Sequence, residues 1–219
     1  KKILIELDND IKSSFKMFRI IQGDVGSGKT ILAFILAAKI CENDNYQVAY
    51  MAPTEILSKQ QYYFAKQIFK SLNIKIEILT GSTKNKKEIS QKLSSGEINI
   101  IIGTHALFQK NIKFKKLGLV IIDEQHKFGV KQRMKLAKKG GKDCDVLFMS
   151  ATPIPRTMMM SIYGDMDISK LTEKPIGRKK INTYIKPENK VLDIIPILKK
   201  QINSNNQIFW VCPLIDDSK

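Results

Sequence analysis

The chain has 219 residues, of which 43% are hydrophobic and 26% are charged, a composition typical of a folded soluble protein. Its longest apolar run, 31–38, is far shorter than the roughly 20 residues of a transmembrane helix. Because its acidic start also does not fit a signal peptide, we expect a cytoplasmic protein with no membrane partner.

The net charge of +16 suits a polyanionic partner such as nucleic acid. Only four of the 37 basic residues are arginine, however, and a general enrichment in lysine explains the charge equally well. The cysteines Cys41, Cys144 and Cys212 lie far apart in the sequence. This spacing predicts reduced thiols and argues against a disulfide framework or a zinc site.

Short β-rich runs alternate with helical stretches over residues 18–150. Apolar residues at helical spacing predict helices over 30–40, 55–72 and 86–95, the last of which ends at Gly96. This alternation predicts an α/β fold, in which a mostly parallel sheet is flanked by helices and binds ligands at the carboxyl ends of its strands. The predicted strands are 18–22, 47–52, 75–80, 98–103, 117–123 and 145–150.

The pattern breaks after Leu171, which predicts a boundary between two domains. Residues 172–180 contain proline, glycine and four basic residues, and this composition indicates a linker. A strand at 181–185, a helix over 188–202 that Pro196 should kink or shorten, and a strand at 207–212 follow. We expect 1–171 to form one complete domain and 181–219 to form the truncated start of another, because so short a unit cannot bury its own faces.

Residues 23–30, which read GDVGSGKT, match the P-loop pattern GxxxxGK[ST] between a predicted strand and a predicted helix. Glycines let backbone N–H groups turn toward phosphates, and the following helix directs its positive end at them. Lys29 is expected to reach the β- and γ-phosphates of ATP, and the Thr30 hydroxyl to bind Mg²⁺. The predicted nucleotide-binding residues are Gly23, Asp24, Val25, Gly26, Ser27, Gly28, Lys29 and Thr30.

An apolar run at 117–122 leads directly into Asp123, Glu124, Gln125 and His126. A buried strand that ends in aspartate is typical of a Walker B element, in which Asp123 holds Mg²⁺ through water. Glu124 is placed to accept a proton from the attacking water. Together with Lys29, these four residues form the predicted catalytic set.

The segment SATPIPR, at 150–156, directly follows the predicted strand 145–150. Its small hydroxyl side chains are suited to hydrogen bonds across to the loop at 123–126. Such bonds would couple the state of the phosphates to a second domain. The predicted coupling residues are Ser150, Ala151, Thr152 and Arg156.

The order of these three motifs resembles that of superfamily 2 helicases, and several longer segments resemble the RecG family. A transcription-repair coupling translocase has a similar motor, but it more usually carries GDVGFGKT and DEEH. Ser27 and Gln125 therefore favour the RecG family. The similar segments are 51–57, 79–88, 96–109, 117–133, 150–167 and 210–219.

The resemblance implies a monomeric, RecA-like motor domain that uses ATP and Mg²⁺ to move on branched double-stranded DNA, such as replication forks and Holliday junctions. It also implies that three loops line the DNA groove and contact phosphates without reading bases. Lysines at 84, 86 and 87 would add sequence-independent attraction, unless they simply form a solvated charge run. The implied DNA-facing residues are Pro53, Thr54, Glu55, Thr80, Gly81, Ser82, Gly103, Thr104 and His105.

The resemblance further implies partner segments of the same polypeptide, namely a wedge domain that splits branched DNA and a second motor domain that supplies arginines to the ATP. This chain is therefore expected to hydrolyse ATP poorly by itself. Two other classes of function stay open from the residues alone. One is a P-loop kinase of a small molecule, and the other is a nucleic-acid-binding module with a decayed nucleotide site.

Overall fold

The computed structural model describes residues 1–42, 46–124, 139–141, 144–152, 166–173 and 181–211. The chain divides into two compact units, Lys1–Ile176 and Gly177–Lys219. The elements of the first unit are α1 (Lys2–Lys12), β1 (Phe18–Gly23), α2 (Lys29–Glu42), β2 (Gln47–Met51), α3 (Glu55–Ile68), β3 (Ile76–Leu79), α4 (Lys86–Ser95), β4 (Ile100–Gly103), a 3₁₀ helix (His105–Phe108), β5 (Leu117–Ile122), β6 (Asp145–Ser150) and β7 (Asp167–Leu171).

The seven strands form one sheet in the order β3-β4-β2-β5-β6-β1-β7, and every pair of neighbours is parallel. This architecture confirms the predicted α/β fold and all six strands predicted between 18 and 150. Strand β7, which no sequence pattern predicted, lies at the edge beside β1 and buries only Ser169 fully. A strand with so few buried apolar residues has no hydrophobic signature in the sequence.

Consecutive strand residues face opposite sides of the sheet, so the sheet is apolar on both faces. Ile21, Tyr50 and Ile121 belong to a core cluster that they share with α1, α2 and α3. Their neighbours Ile20 and Met51 belong to a second cluster, which is covered by α4 and the 3₁₀ helix. Helices therefore cover both faces, as the uninterrupted apolar strands predict.

Helix α1, which the sequence analysis did not predict, is tied to the sheet by the buried side chain of Arg19 on β1. The guanidinium of Arg19 donates to both carboxylate oxygens of Asp10 on α1 and to the hydroxyl of Ser169 on β7. The Ser169 hydroxyl in turn donates to Glu6. Because these polar contacts fix the helix, only Ile3 and Leu7 of α1 need to be buried.

The helices of the first unit follow the predictions closely. Helix α4 spans the predicted residues, and Gly96 ends it in a left-handed conformation with φ 84°. Helix α3 ends at Ile68, earlier than the predicted Leu72. The chain leaves the helix at Phe69, whose ring packs in the core with its centroid 5.7 Å from that of Phe34.

The second unit contains a 3₁₀ helix (Glu188–Asp193) followed by α5 (Ile194–Asn203). Pro196 lies in the first turn of α5, where backbone N–H groups have no partner within the helix, so it shortens the predicted helix without breaking it. The two predicted strands are wrong for residues 181–185 and 207–211, which form no strand. No side chain described between 181 and 211 is buried, and a strand needs a neighbour to pair with.

Two predictions reach beyond the described residues. The linker falls mainly on 174–180, so the boundaries 1–171, 172–180 and 181–219 stay predictions. Cys41 and Cys144 are free, buried thiols, as expected, whereas Cys212 lies outside the described part of the chain. In that part, no helix has the length and apolarity needed to cross a membrane.

The buried side chain of Gln47 fastens the amino-terminal edge of the sheet. Its amide nitrogen donates to the carbonyls of Leu93 and Ile98, at 2.9 and 2.8 Å, and its amide oxygen accepts from the backbone N–H groups of Lys115 and Lys116, at 2.8 and 3.1 Å. Replacement by leucine would remove all four hydrogen bonds, and of these groups the Lys115 N–H and the Leu93 carbonyl would keep one to each other at 3.3 Å.

We therefore expect Gln47→Leu to lower the free energy of unfolding by about 3 kcal/mol, measured by urea denaturation. Gln91→Leu, on the exposed face of α4, is the matched control and should change little. Equal and small effects of the two substitutions would show that the Gln47 amide does not stabilise this edge.

Candidate functional site

The three predicted motifs meet at one edge of the sheet. Strands β5, β6 and β1 lie side by side and are parallel, so their carboxyl ends share an edge. The loop at 23–30 follows β1, Asp123 follows β5, and Ser150 is the last residue of β6. This is the position at which open α/β sheets bind ligands.

The loop at 23–30 wraps around the ammonium group of Lys29. Lys29 begins α2, is only 8% exposed, and donates to the carbonyls of Gly23 and Asp24 at 2.6 and 2.9 Å. Gly26 and Gly28 have φ values of 79° and 93°, which residues with a side chain rarely adopt. The loop therefore has the backbone conformation and the buried cation of a phosphate-binding loop.

Two further features of this loop fit a nucleotide. The Ser27 hydroxyl is buried and has no hydrogen-bond partner among the residues that the structure describes. A Cβ atom on Gly23 would lie 2.7 Å from both the Ser27 hydroxyl and the Cβ of Leu171, so a larger residue would disturb the start of the loop. Val25, in contrast, is 72% exposed at the outer turn. A buried polar group without a partner is a feature expected of a ligand site.

Asp123 lies at the carboxyl end of β5, between a buried phenol and its own backbone. Its Oδ2 accepts from the Tyr50 hydroxyl at 3.0 Å, and its Oδ1 accepts from the backbone N–H of Glu124 at 3.0 Å. Burial raises the pKa of Asp123, while the hydrogen bond from Tyr50 and the charge of Lys29 act in the opposite direction. Asp123 and Lys29 therefore belong to one electrostatic site.

Sequence reasoning missed Tyr50. Its phenol donates a hydrogen bond to Asp123, one of the two residues predicted to hold Mg²⁺. The available signal was a hydroxyl-bearing side chain within the otherwise apolar strand 47–51. That signal is weak, because tyrosine is a common strand residue.

Glu124 has a positive φ of 47°, which is uncommon for a residue with a side chain and marks a local constraint at the end of β5. Its carboxylate accepts a long hydrogen bond, 3.5 Å, from the backbone N–H of Ala151. A link between the Asp123 loop and the 150–152 loop was predicted, but through hydroxyl groups. In the structure the Ser150 and Thr152 hydroxyls bond to each other at 3.0 Å, and the backbone of Ala151 makes the contact.

Three predicted site residues, Gln125, His126 and Arg156, lie outside the described residues. Their proposed roles in catalysis and coupling stay predictions. For the same reason, the site is described from the P-loop, Asp123, Glu124 and residues 150–152.

The loops predicted to face DNA lie on the other half of the same edge. They follow β2, β4 and β3, which are neighbours in the sheet. Thr54 caps α3 by accepting from the backbone N–H of Leu57 at 3.2 Å, and Pro53, Glu55, Gly81, Ser82 and His105 are at least partly exposed. The edge is thus divided between a P-loop half (β5-β6-β1) and a loop half (β3-β4-β2).

Three of the residues predicted to contact DNA are buried: Thr80, Gly103 and Thr104. Thr80 bonds within its own loop, to the hydroxyls of Ser82 and Thr83, and a Cβ atom on Gly103 would lie 2.2 Å from the carbonyl of Leu79. As placed, these residues shape the loops from inside and do not form their outer surface. Residue type alone does not distinguish a residue that contacts DNA from one that packs inside the loop.

Glu55 connects two of these loops. Its carboxylate accepts from the Ser82 backbone N–H at 3.0 Å and from the Ser82 hydroxyl at 2.8 Å. These hydrogen bonds hold the pKa of Glu55 below its ordinary value, so the carboxylate stays charged at neutral pH. In the structure Glu55 thus supports the loop at 80–83, and its predicted contact with DNA stays a prediction.

Comparison with known proteins identifies the class to which this site belongs. Residues 9–161 match the model of the DEAD/DEAH box helicases, which is most of the chain. The chain therefore belongs to the DEAD/DEAH box helicase family. A DEAD box protein from Methanococcus jannaschii, 22% identical over 78% of this chain and 48% of its own length, has the same fold, with a TM-score of 0.60.

Whole-chain similarity to RecG proteins confirms the resemblance seen in the motifs. The chain is 46% identical to the ATP-dependent DNA helicase RecG of Bacillus subtilis, over 99% of this chain and 32% of that protein. It is 45% identical to RecG of Thermotoga maritima, over 97% of this chain and 27% of that protein. A structure of RecG bound to a three-way DNA junction superimposes with a TM-score of 0.80, at 40% identity, over 98% of this chain and 29% of that chain. The chain thus spans about a third of the length of these relatives.

The contact between Glu55 and Ser82 predicts which group holds the loop at 80–83. In Glu55→Ala, the Ser82 amide loses its acceptor, so we expect several-fold faster hydrogen exchange at 80–83 and no change in α4. Mass-spectrometric hydrogen exchange measures both regions. Gln60→Ala, an exposed position on the same helix α3, is the control and should leave the loop unchanged. Unaltered exchange at Ser82 in Glu55→Ala would refute the supporting role.

Proposed function

We propose that this chain is an ATP-dependent DNA helicase or translocase motor domain that acts on branched double-stranded DNA as part of a longer protein. The observation that carries the proposal is the meeting of Lys29, Thr30 and Asp123 at one sheet edge. Family membership and the RecG similarity support the same reading. Both argue against the alternative of a small-molecule kinase.

The described residues of the nucleotide half have the chemistry to bind ATP and to take part in its hydrolysis. The ammonium of Lys29 would exchange the Gly23 and Asp24 carbonyls for the β- and γ-phosphates, which are stronger acceptors because they are charged. Glu124 is proposed as the proton acceptor for the attacking water. Gln125, His126 and Arg156 are proposed to complete catalysis and coupling.

Magnesium fits the donor set at this site. In the described part of the chain, no group of three or more His, Cys, Asp or Glu residues could hold a metal alone. Mg²⁺ does not require such a group, since it keeps several waters and takes one or two protein oxygens together with substrate phosphates. Thr30 and Asp123 would provide those two oxygens, and the ion when bound would neutralise charge on the phosphates.

The loop half is proposed to contact the DNA backbone. Thr54 and the first N–H groups of α3 would meet a phosphate, with Gly81, Ser82 and His105 alongside. The halves are joined where β2 and β5 pair, since the backbone N–H of Asp123 donates to the Met51 carbonyl at 2.9 Å. The strand that carries Asp123 is therefore directly bonded to the first strand of the loop half, so a change at the phosphates would be transmitted to the proposed DNA loops through adjacent strands.

The finer assignments follow from the RecG resemblance. We propose forks and Holliday junctions as substrates, a monomeric and cytoplasmic protein, and a RecA-like second motor domain that begins within 181–219. The similar structure of RecG bound to a three-way DNA junction supports a branched substrate. Movement of two motor domains driven by hydrolysis would remodel such junctions.

Nucleotide binding is tested with Lys29→Ala. Removing the ammonium removes a charge-assisted contact to the phosphates, so we expect the Kd of Mg·ATP to rise by roughly 10- to 100-fold. Isothermal titration calorimetry measures the Kd, with Lys70→Ala on the exposed surface as the control. If Lys29→Ala binds Mg·ATP as tightly as the unsubstituted chain does, the loop is not the nucleotide site.

We also expect the 219-residue chain to turn over ATP more slowly than about one per second even with fork DNA.

DNA binding is tested by reversing the charge of one lysine beside the loop half and, as a control, of one lysine far from it. Lys84 and Lys87 are exposed beside the 80–83 loop, whereas Lys113 lies shortly before β5, at the opposite edge of the sheet. We expect Lys87→Glu to weaken binding of fork DNA several-fold at low salt, measured by fluorescence anisotropy, and Lys113→Glu to have a much smaller effect. Equal losses would indicate a diffuse charge effect and would count against a DNA site at the loop half.

A further inference from the structure

From the geometry around Asp123 we infer that Tyr50 is a positioning residue, whose hydroxyl holds the Asp123 carboxylate in the orientation required to bind magnesium. The inference rests on the proposed function, because it concerns the metal in that same nucleotide site. Tyr50 touches neither the phosphates nor the reacting atoms in this scheme. It acts through Asp123.

The phenol of Tyr50 is held rigidly. The side chain is fully buried on β2, a central strand, and pairs with Ile121 on β5, two residues before Asp123. Its ring packs against Phe34 of α2, with centroids 5.5 Å apart. A ring fixed by a strand on one side and a helix on the other can direct its hydroxyl at only one place, and there the hydroxyl donates to Oδ2 of Asp123 at 3.0 Å.

The hydrogen bonds of Asp123 leave room for a metal. Each carboxylate oxygen accepts one described hydrogen bond, from the Tyr50 hydroxyl and from the Glu124 N–H. An ionised carboxylate has about four acceptor positions, so one position on each oxygen stays available for an ion or its waters. The two donors fix the rotation of the carboxylate.

The Tyr50 hydroxyl is the donor in this contact, because an ionised carboxylate oxygen can only accept a hydrogen bond. The buried phenol therefore serves Asp123 by supplying the hydrogen bond that holds Oδ2 in place.

Removing only the hydroxyl tests this role. Tyr50→Phe keeps the ring against Phe34 but leaves Oδ2 of Asp123 without its donor. Loss of such a supporting hydrogen bond typically weakens metal binding by about 10- to 100-fold. Tyr46→Phe removes a phenol hydroxyl just before the amino end of β2, away from the P-loop edge, and is the matched control.

The experiment measures ADP binding to the 219-residue chain by calorimetry, as a function of free Mg²⁺ and in EDTA. We expect Tyr50→Phe to need about 10-fold more Mg²⁺ for half-maximal enhancement of ADP binding, with unchanged affinity in EDTA. Tyr46→Phe should match the unsubstituted chain in both. An unchanged Mg²⁺ requirement in Tyr50→Phe, or an equal loss of ADP affinity with and without Mg²⁺, would overturn the inference.

A double-mutant cycle separates positioning from general stability. If Tyr50 acts through Asp123, Tyr50→Phe should have no further effect on the Mg²⁺ requirement in an Asp123→Asn background, whereas a structural defect would add to it. Thermal unfolding without ligand reports any loss of stability independently. If the unsubstituted chain binds no ADP at the P-loop, the proposed function itself fails. If it binds Mg·ADP and Tyr50→Phe behaves identically, only the role of Tyr50 fails.

Discussion

The buried ammonium of Lys29 is the interaction on which the rest of the site depends. A cation that is 8% exposed needs partners, and among the residues that the structure describes its hydrogen-bond partners are the carbonyls of Gly23 and Asp24. Neutral carbonyls compensate a buried charge less well than an anion does. The loop conformation, with Gly26 and Gly28 at positive φ, holds the cation in a position where a phosphate would improve its environment.

The parallel sheet explains why the Lys29 ammonium lies at the same edge as Asp123 and Ser150. Because β1, β6 and β5 are neighbours, the ends of three segments that are distant in sequence come together at one edge. The same edge continues through β2 to β4 and β3, whose loops form the proposed DNA surface. Tyr50 and Asp123 lie where the halves join, so a pair of hydrogen-bonded side chains on adjacent strands separates the proposed nucleotide site from the proposed DNA surface.

Much of this arrangement could be predicted from sequence, because it depends on local patterns. Continuous apolar runs identified the buried strands, Gly96 identified a helix end, and GDVGSGKT identified the loop around Lys29. The missed features depend on contacts between distant residues. Helix α1 is fixed by Arg19 and Ser169, β7 is an edge strand with little apolar surface, and Tyr50 acquires its partner only through the pairing of β2 with β5.

The differences between expectation and structure also depend on contacts between distant residues. Glu55 was predicted to contact DNA because its motif resembles a segment of the RecG family, and in the structure its carboxylate is bound to Ser82. Thr80, Gly103 and Thr104 have suitable chemistry for phosphate contacts but are buried beneath the loop surface. The strands expected at 181–185 and 207–211 have β-rich sequences but no described neighbour to pair with. Residue type predicts which contacts a side chain or a segment is suited to make. Burial and strand pairing decide whether the folded chain makes those contacts.

The most direct test is a crystal structure of the chain with ADP and Mn²⁺, in which anomalous scattering locates the metal. The account predicts that the β-phosphate lies in the 23–30 loop, that the Lys29 ammonium moves from the Gly23 and Asp24 carbonyls to that phosphate, and that the metal lies between Thr30 and Asp123. Nucleotide bound elsewhere, or a metal distant from Asp123 with Lys29 still on its carbonyls, would contradict it.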